Sequence, residues 1–446
     1  MRDSANPRAI QHNVMQHTKI AIVGLGTVGR GVARLLLEQG DRLARHAGRR
    51  LELAQVVVKD PAKKRKVAVP PDIISTELAR ITNDPEIAVV VMLIGGLEPA
   101  RSIALELLAA GKDLVTANKA LLAEHSVELF ERARELGRSI AFEASVAGGI
   151  PILANISQCL SANRFESIHA ILNGTSNYIL SQMEAHGASY AEAVSEAQRL
   201  GYAEADPTMD VDGSDAAQKL AILAHLAFGA HADWNAIPRQ GIDTLELADL
   251  RYAKELGYRI KLLAVAQRTP AGVELHVSPT LVRLGSSLAD VRGADNAVSV
   301  VGDAVGRVFF SGPGAGQMPT ASAVVADLID TVVGRTAITF RTLELWSTAT
   351  PTVALSDYEN VAGRYYLRFN VADEPRVLAE VAGRLGSEGV SIASVIQHEA
   401  AGSGEGVVPL VIMTHNTTEG AVCRAVDAID RLPFMRGASI RMRVRD

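Results

Sequence analysis

Cysteine is nearly absent. The chain holds two, Cys159 and Cys423, far apart and in no metal-ligating spacing, which excludes a disulfide framework and a zinc site and fits a reducing cytoplasm. A long apolar run is missing too. The longest, such as Ile87 to Ile94, have the length of a strand and fall short of the roughly 20 residues that span a bilayer, so no membrane association is expected. Net charge is slight at −5, and no basic stripe with interleaved aromatics occurs, so nucleic acid is not an expected partner. The one dense basic run is Lys63-Lys64-Arg65-Lys66. Residues 1–18 are polar and lack an apolar h-region, so they read as a loose tail rather than a secretory signal.

What is present is a chain of 446 residues with 48% apolar and 21% charged side chains, enough for two or three well-filled domains. From Lys19, short apolar runs alternate with helical patterns: KIAIV, a helix from about Val28 to Arg45, LELAQVVV, IAVVVMLI, and a helix near Arg101 to Ala110. Such alternation means parallel βαβ units, so residues 19–150 are expected to form an α/β, doubly wound, Rossmann-type nucleotide-binding domain. Residues 151–318 lose that rhythm and read as an α+β domain. The run TASAVVADLIDTVVG reads as one amphipathic helix, placed at about 319–345 and returning to complete the first domain. A linker over 346–363 follows. Residues 364–446 run in the order βαββαβ, a ferredoxin-like unit with no residue that suggests chemistry.

GLGTVG, Gly24 to Gly29, directly follows KIAIV and opens a helix at Thr27 and Val28, which is the context that turns a glycine pattern into a dinucleotide fingerprint. Gly24 permits the tight turn, Gly26 lets backbone approach a pyrophosphate, Gly29 lets helix and strand pack, and the helix start offers free N–H groups. The competing reading is a plain strand-to-helix turn. The second strand is expected to end at Lys59-Asp60. Lys59 with Lys63, Lys64, Arg65 and Lys66 beside the adenosine ribose would favour a 2′-phosphate, hence NADP over NAD; the alternative is a solvated basic loop.

A second cluster, GYAEADPTMDVDGSDAAQK from Gly201 to Lys219, gathers Glu204, Asp206, Asp210, Asp212 and Asp215 around one lysine. Asp215 and Lys219 stand four apart at the start of a helix, one turn apart on the same side. A carbonyl receiving hydride builds negative charge on oxygen, and an ammonium such as Lys219 can stabilise it and deliver a proton. Asp215 would orient that lysine, while Glu204 and Asp210 would bind a substrate ammonium. The bland alternative is a surface helix pair worth about 0.2–0.5 kcal/mol.

These segments resemble the homoserine dehydrogenase family over nearly the whole chain from Lys19. LVTANK (Leu114–Lys119), FEASVAGGIP (Phe142–Pro151), ILNGTSNYIL (Ile171–Leu180), the Gly201–Lys219 segment and GPGAGQMPT (Gly312–Thr320) match its motifs in order. The resemblance implies NAD(P)-dependent interconversion of aspartate semialdehyde and homoserine, with Lys219 as proton donor, Asp215 as its partner, and Glu204 and Asp210 at the substrate's amino end. It implies that Lys119 lies by nicotinamide and substrate, that Asn173, Gly174 and Thr175 shape the substrate pocket, and that Gly314 to Gly316 close over the nicotinamide side. It also implies a monovalent cation, sodium, on Glu143 and the carbonyls of Val146, Gly148 and Ile150, and a homodimer or homotetramer formed through the central region.

The C-terminal unit resembles an ACT domain, which implies threonine as an effector. Two positions depart from the family. Arg376 follows Pro375 where the family usually has glycine, which puts effector binding in doubt, and Met92 stands where an acid is frequent. His225 and Cys159 read as core residues. Two rivals stand beside this reading: another amino-acid dehydrogenase with a sensor tail, and a non-catalytic sensor that would not need Asp215 and Lys219.

Overall fold

The structure is a computed structural model that describes residues 16–398 and 406–446; the polar tail expected at 1–18 lies outside the described residues as far as residue 15. In the first domain β1 (His17–Val23), β2 (Arg50–Val57), β3 (Ile74–Ser75), β4 (Ile87–Met92), β5 (Asp113–Thr116) and β6 (Ile140–Ala141) form one sheet in the order β3-β2-β1-β4-β5-β6. Every pair is parallel. Ile20, Ala21 and Ile22 of β1 are all fully buried, which is why its sequence is apolar at successive positions: both faces are covered. The strand order reverses between β1 and β4, and ligands of such sheets bind in the crevice beyond the carboxyl ends of those strands.

Several elements depart from the sequence reading. The helix expected from Val28 to Arg45 is two, Thr27–Glu38 and Gly40–Ala47, because the backbone leaves helical geometry at Gln39 (φ −124°, ψ 20°). The helix expected at about 319–345 is also two, Gln317–Val332 and Arg335–Leu343, parted by Gly334 at φ 88°. β2 stops at Val57, so Lys59 and Asp60 lie beyond it. The Gln317–Val332 helix does return to the first domain. A Cβ on Gly31 would lie 2.8 Å from the Ala321 Cβ, so glycine is what lets this helix lie against Thr27–Glu38.

The remaining strands are β7 (Phe165–Ile171), β8 (Tyr258–Thr269), β9 (Gly272–Arg283), β10 (Asp295–Gly302), β11 (Gly306–Pro313), β12 (Ala362–Ala372), β13 (Ile392–Gln397), β14 (Val407–Thr414), β15 (Thr417–Thr418) and β16 (Ile440–Arg445). They join in one sheet, β11-β10-β7-β8-β9-β16-β12-β14-β13, with β15 on β12. The βαββαβ order of the C-terminal unit is as expected, but its separateness is not. β16 pairs in parallel with β9, Arg443 to Thr280 through Arg445 to Val282, so the central and C-terminal parts share one sheet. Nor is 346–363 a loose linker: Val353 and Leu355 bridge to Ala230 and Val273.

A buried ion pair fastens the two parts. Arg368 of β12, 2% exposed, donates through Nε and Nη2 to the two oxygens of Asp249 (2.6 and 3.0 Å), and Tyr366 Oη donates to the same carboxylate at 3.1 Å. Asp249, in the Leu247–Glu255 helix, also accepts from the Glu246 backbone N–H at 2.9 Å.

Arg376 sits at φ 79°, in the left-handed region, just before the Val377–Ser387 helix. A non-glycine residue there is strained by about 1–2 kcal/mol, part of which glycine would return as lost chain entropy on folding. Arg376→Gly is therefore expected to stabilise the fold by about 0.5–1 kcal/mol in urea unfolding, and a loss of stability would show that the exposed guanidinium makes a contact that outweighs the strain.

Candidate active site

The helix Ser214–Phe228 starts after Gly213, whose φ of 88° turns the chain sharply. Its first turn carries Asp215, 6% exposed, and the next turn Lys219. Burial decides against a solvated surface pair. Lys219 Nζ donates to Asp215 Oδ2 at 2.7 Å and to the Leu172 carbonyl at 2.7 Å. The other oxygen, Oδ1, is held by Lys119 Nζ at 3.0 Å. Lys119 opens the helix Lys119–Glu135, whose start is capped by Asn118 accepting from the Leu121 N–H. One carboxylate thus joins the nucleotide-binding domain to the central domain.

Asn173 completes the cluster. Its Nδ2 donates to Asp215 Oδ2 at 2.9 Å and to Asp210 Oδ1 at 2.7 Å, while its Oδ1 caps the Gly174–His186 helix by accepting from the Ser176 N–H at 2.8 Å. Burial pushes the Asp215 carboxyl up, yet the ammonium groups of Lys219 and Lys119 outweigh burial and hold it well below the usual carboxylate range. Burial alone would lower Lys119; Asp215 reverses this and raises it. Burial raises Asp210 against the Asn173 hydrogen bond.

The residues expected at the substrate, Lys119, Gly174, Thr175, Glu204 and Asp210, all open onto one cleft of about 880 Å³ together with Asp215 and Lys219. Gly316 reaches the same cleft from the start of the Gln317–Val332 helix, where Gln317 Nε2 donates to the Thr27 carbonyl at 3.0 Å and ties this wall to the glycine loop. Thr175 Oγ1 is turned to the Tyr202 carbonyl at 2.7 Å. Sequence reasoning missed that Lys119 and Asn173 both bind Asp215, and it missed Asn296, which lines the cleft without any motif.

Two glycines of the loop serve the fold itself. Gly24, at φ 98°, would place a Cβ 2.8 Å from the Leu93 carbonyl, and a Cβ on Gly29 would lie 2.2 Å from the Gly24 carbonyl. A Cβ on Gly26 would meet nothing within 4 Å. The protein's own packing does not require that glycine, whereas a pyrophosphate laid against the loop would. The first turn at Thr27 and Val28 has no side-chain cap, so its N–H groups are left for an anion. This loop fits a dinucleotide. Lys59, Lys63, Lys64 and Lys66 are exposed, while Arg65 is spent on the carbonyls of Asp60 and Lys63.

Glu143 is buried, and its oxygens accept from the Leu153 and Ala154 N–H groups at 2.9 and 2.7 Å. Burial pushes its carboxyl up to about 7 against those two amides. Val146 and Ile150 are buried, and a Cβ on Gly148 would lie 2.2 Å from the Gly314 carbonyl. His225 is a packed residue, accepting from the Trp346 N–H at 2.7 Å and stacked on its ring. Cys159 corrects the expectation of a core position: it is exposed, at the end of the Asn155–Cys159 turn. Met92 is buried in the first domain. No described helix is long and apolar enough to cross a membrane.

Residues 24–143 match the homoserine dehydrogenase NAD-binding domain and residues 151–329 match the homoserine dehydrogenase domain. A homoserine dehydrogenase of Pseudomonas aeruginosa is 45% identical over 96% of this chain and 99% of its own length. The crystal structure of one from Thiobacillus denitrificans superposes with a TM-score of 0.89 at 41% identity, covering 97% of this chain and 99% of that one. A hyperthermophilic archaeal homoserine dehydrogenase in complex with NADPH superposes with a TM-score of 0.59 at 25% identity, covering 71% of this chain and 97% of its own. The chain belongs to the homoserine dehydrogenase family.

Proposed function

We propose that this homoserine dehydrogenase works as a reversible, NADP-preferring reductase of L-aspartate 4-semialdehyde, with Lys219 as the group that protonates the nascent alkoxide. The observation that carries the reading is the Asp215 carboxylate holding two ammonium groups, Lys219 and Lys119, at the wall of one cleft. When bound, the reduced nicotinamide supplies the hydride to the aldehyde carbon. Lys219 has two of its three N–H bonds committed, to Asp215 and Leu172, so the third is left for the substrate oxygen. As charge grows on that oxygen, the ammonium stabilises it and passes the proton, giving the alcohol. Glu204 and Asp210 take the substrate ammonium, and Lys119, with Gly174 and Thr175, holds the rest of the substrate and the nicotinamide side.

The preference for NADP is supported by the exposed basic run after β2 and by the NADPH bound to the archaeal relative. Replacing Lys59 and Lys66 by alanine is expected to raise KM for NADPH by roughly 10- to 100-fold and leave KM for NADH unchanged, because one charge-assisted phosphate contact is worth roughly 1.5–3 kcal/mol. Equal changes for both cofactors would remove these lysines from the 2′-phosphate.

A monovalent cation, sodium, fits Glu143, whose buried carboxylate is bonded, among the described residues, to backbone N–H groups alone; the carbonyls of Val146, Gly148 and Ile150 would complete its ligands. Sodium in place of choline is expected to raise the melting midpoint of the wild type and not of Glu143→Gln. The C-terminal unit acts as an ACT domain that senses threonine. A cleft of about 300 Å³ beside Asp373, Glu374, Pro375 and Arg376 supports a ligand there, and the left-handed Arg376 stands where glycine would ease its approach.

The direct test is NADPH oxidation with aspartate semialdehyde, with NADH substituted for NADPH and with threonine added. Turnover favouring NADPH and suppressed by threonine is expected. Turnover indifferent to threonine would remove the effector role, and no turnover with either cofactor would remove the assigned reaction.

A further inference from the structure

Asn296 stands at the start of β10, 1% exposed, on the wall of the catalytic cleft. Its Nδ2 donates to the Leu172 carbonyl at 3.0 Å. That carbonyl is the one that also accepts from Lys219 Nζ. We propose that Asn296 is a positioning residue for Lys219: as the second donor to the Leu172 carbonyl it pins the Leu172–Asn173 peptide, and so fixes the direction in which the lysine's remaining N–H points.

Three observations support this. First, the amide is costly to keep. Its Oδ1 is buried with no hydrogen-bond partner among the described residues, a state that costs about 1–3 kcal/mol and that an apolar residue would not incur. Second, the surroundings are cut to its shape. A Cβ on Gly314 would lie 2.0 Å from the Asn296 Cγ, so that neighbour must be glycine for the amide to lie where it does.

Third, the backbone that carries Asn296 is itself anchored. Asn177 Nδ2 donates to the carbonyls of Gly293 and Asp295 at 2.9 and 3.2 Å, and the buried Lys261 bonds both the Asn177 Oδ1, at 2.8 Å, and the Val291 carbonyl. The chain of contacts runs from β8 through Asn177 to the strand start, then through Asn296 to the carbonyl that steers Lys219. Without the Asn296 donor, Lys219 would be the side-chain donor left on the Leu172 carbonyl among the described residues, and the lysine could swing with it. A misplacement of about 1 Å in such a group can cost roughly 10²-fold in rate.

The proposal rests on Lys219 as the proton donor, and the experiment separates the two. Asn296→Asp keeps the outline and removes the donor; Asn296→Ala removes both. A merely space-filling role would lower stability without separating kcat from KM and Kd. Positioning predicts that both variants lose roughly 10- to 100-fold in kcat, while KM for aspartate semialdehyde and Kd for NADPH, read by fluorescence, stay within about twofold of wild type. Wild-type kcat in Asn296→Asp would overturn the proposal, and should that variant fail to fold, wild-type kcat in Asn296→Ala would do the same. Lys219→Ala is run beside them. If it keeps turnover, the assignment of Lys219 falls and this proposal with it; if it is inactive while Asn296→Asp is normal, only the positioning role falls.

Discussion

Lys219→Ala is expected to lower kcat by roughly 10²–10⁴-fold while leaving Kd for NADPH close to wild type. The magnitude follows from the loss of a positioned proton donor where charge develops, and the selectivity follows from geometry. Lys219 bonds Asp215 and Leu172, and among the described residues no hydrogen bond or ion pair joins it to the glycine loop at Gly24–Gly29. Removing it leaves Asp215 with Lys119 and Asn173, so the buried carboxylate keeps one cation and the site stays assembled. Fluorescence titration with NADPH beside steady-state kinetics checks both halves. A variant that loses cofactor affinity in proportion to turnover would mean that Lys219 serves binding rather than proton transfer.

The second large effect concerns stability. Asp249→Ala is expected to destabilise the fold by about 3–5 kcal/mol, because it leaves the buried Arg368 guanidinium with only the exposed Glu246 carboxylate, 3.3 Å away, as counter-charge among the described residues. Tyr366 loses its acceptor and the Leu247–Glu255 helix loses part of its cap in the same substitution. Urea unfolding of Asp249→Ala, Arg368→Met and the double variant measures the coupling. The double variant should be more stable than Asp249→Ala, since it no longer buries a charge that has lost its two-point partner. A change below about 1 kcal/mol in Asp249→Ala would show that water reaches Arg368 and that the pair behaves as a surface contact.

The parts of the molecule legible in the sequence are those set by short-range pattern. GLGTVG after KIAIV placed the glycine loop, and the four-residue spacing of Asp215 and Lys219 placed both on one helical side. Glu204 and Asp210, which line the cleft, stand in a run dense in acids. Contacts between distant segments left no local trace. Nothing near Lys119 announces that its ammonium meets Asp215 across two domains. Asn296 lies in an ordinary strand sequence, and its importance arises only where Leu172 and Gly314 are brought against it. The helix break at Gln39 was invisible to periodicity because apolar residues continue on both sides, Leu35 and Leu36 before it and Leu43 and Ala44 after it. The shared sheet was missed for the same reason: β9 and β16 each look like a strand, and neither names its neighbour.

That pairing bears on how the molecule is made. β16, at residues 440–445, follows every other strand in sequence yet lies between β9 and β12 in the interior of the ten-stranded sheet. During synthesis β9 must therefore wait as an open edge while some 150 further residues emerge, a delay on the order of ten seconds at roughly 5–20 residues per second. Open edges are templates for pairing with another chain, so this stretch of synthesis is when a nascent copy is most exposed to wrong partners, and the arrival of residues 440–445 is what ends that exposure.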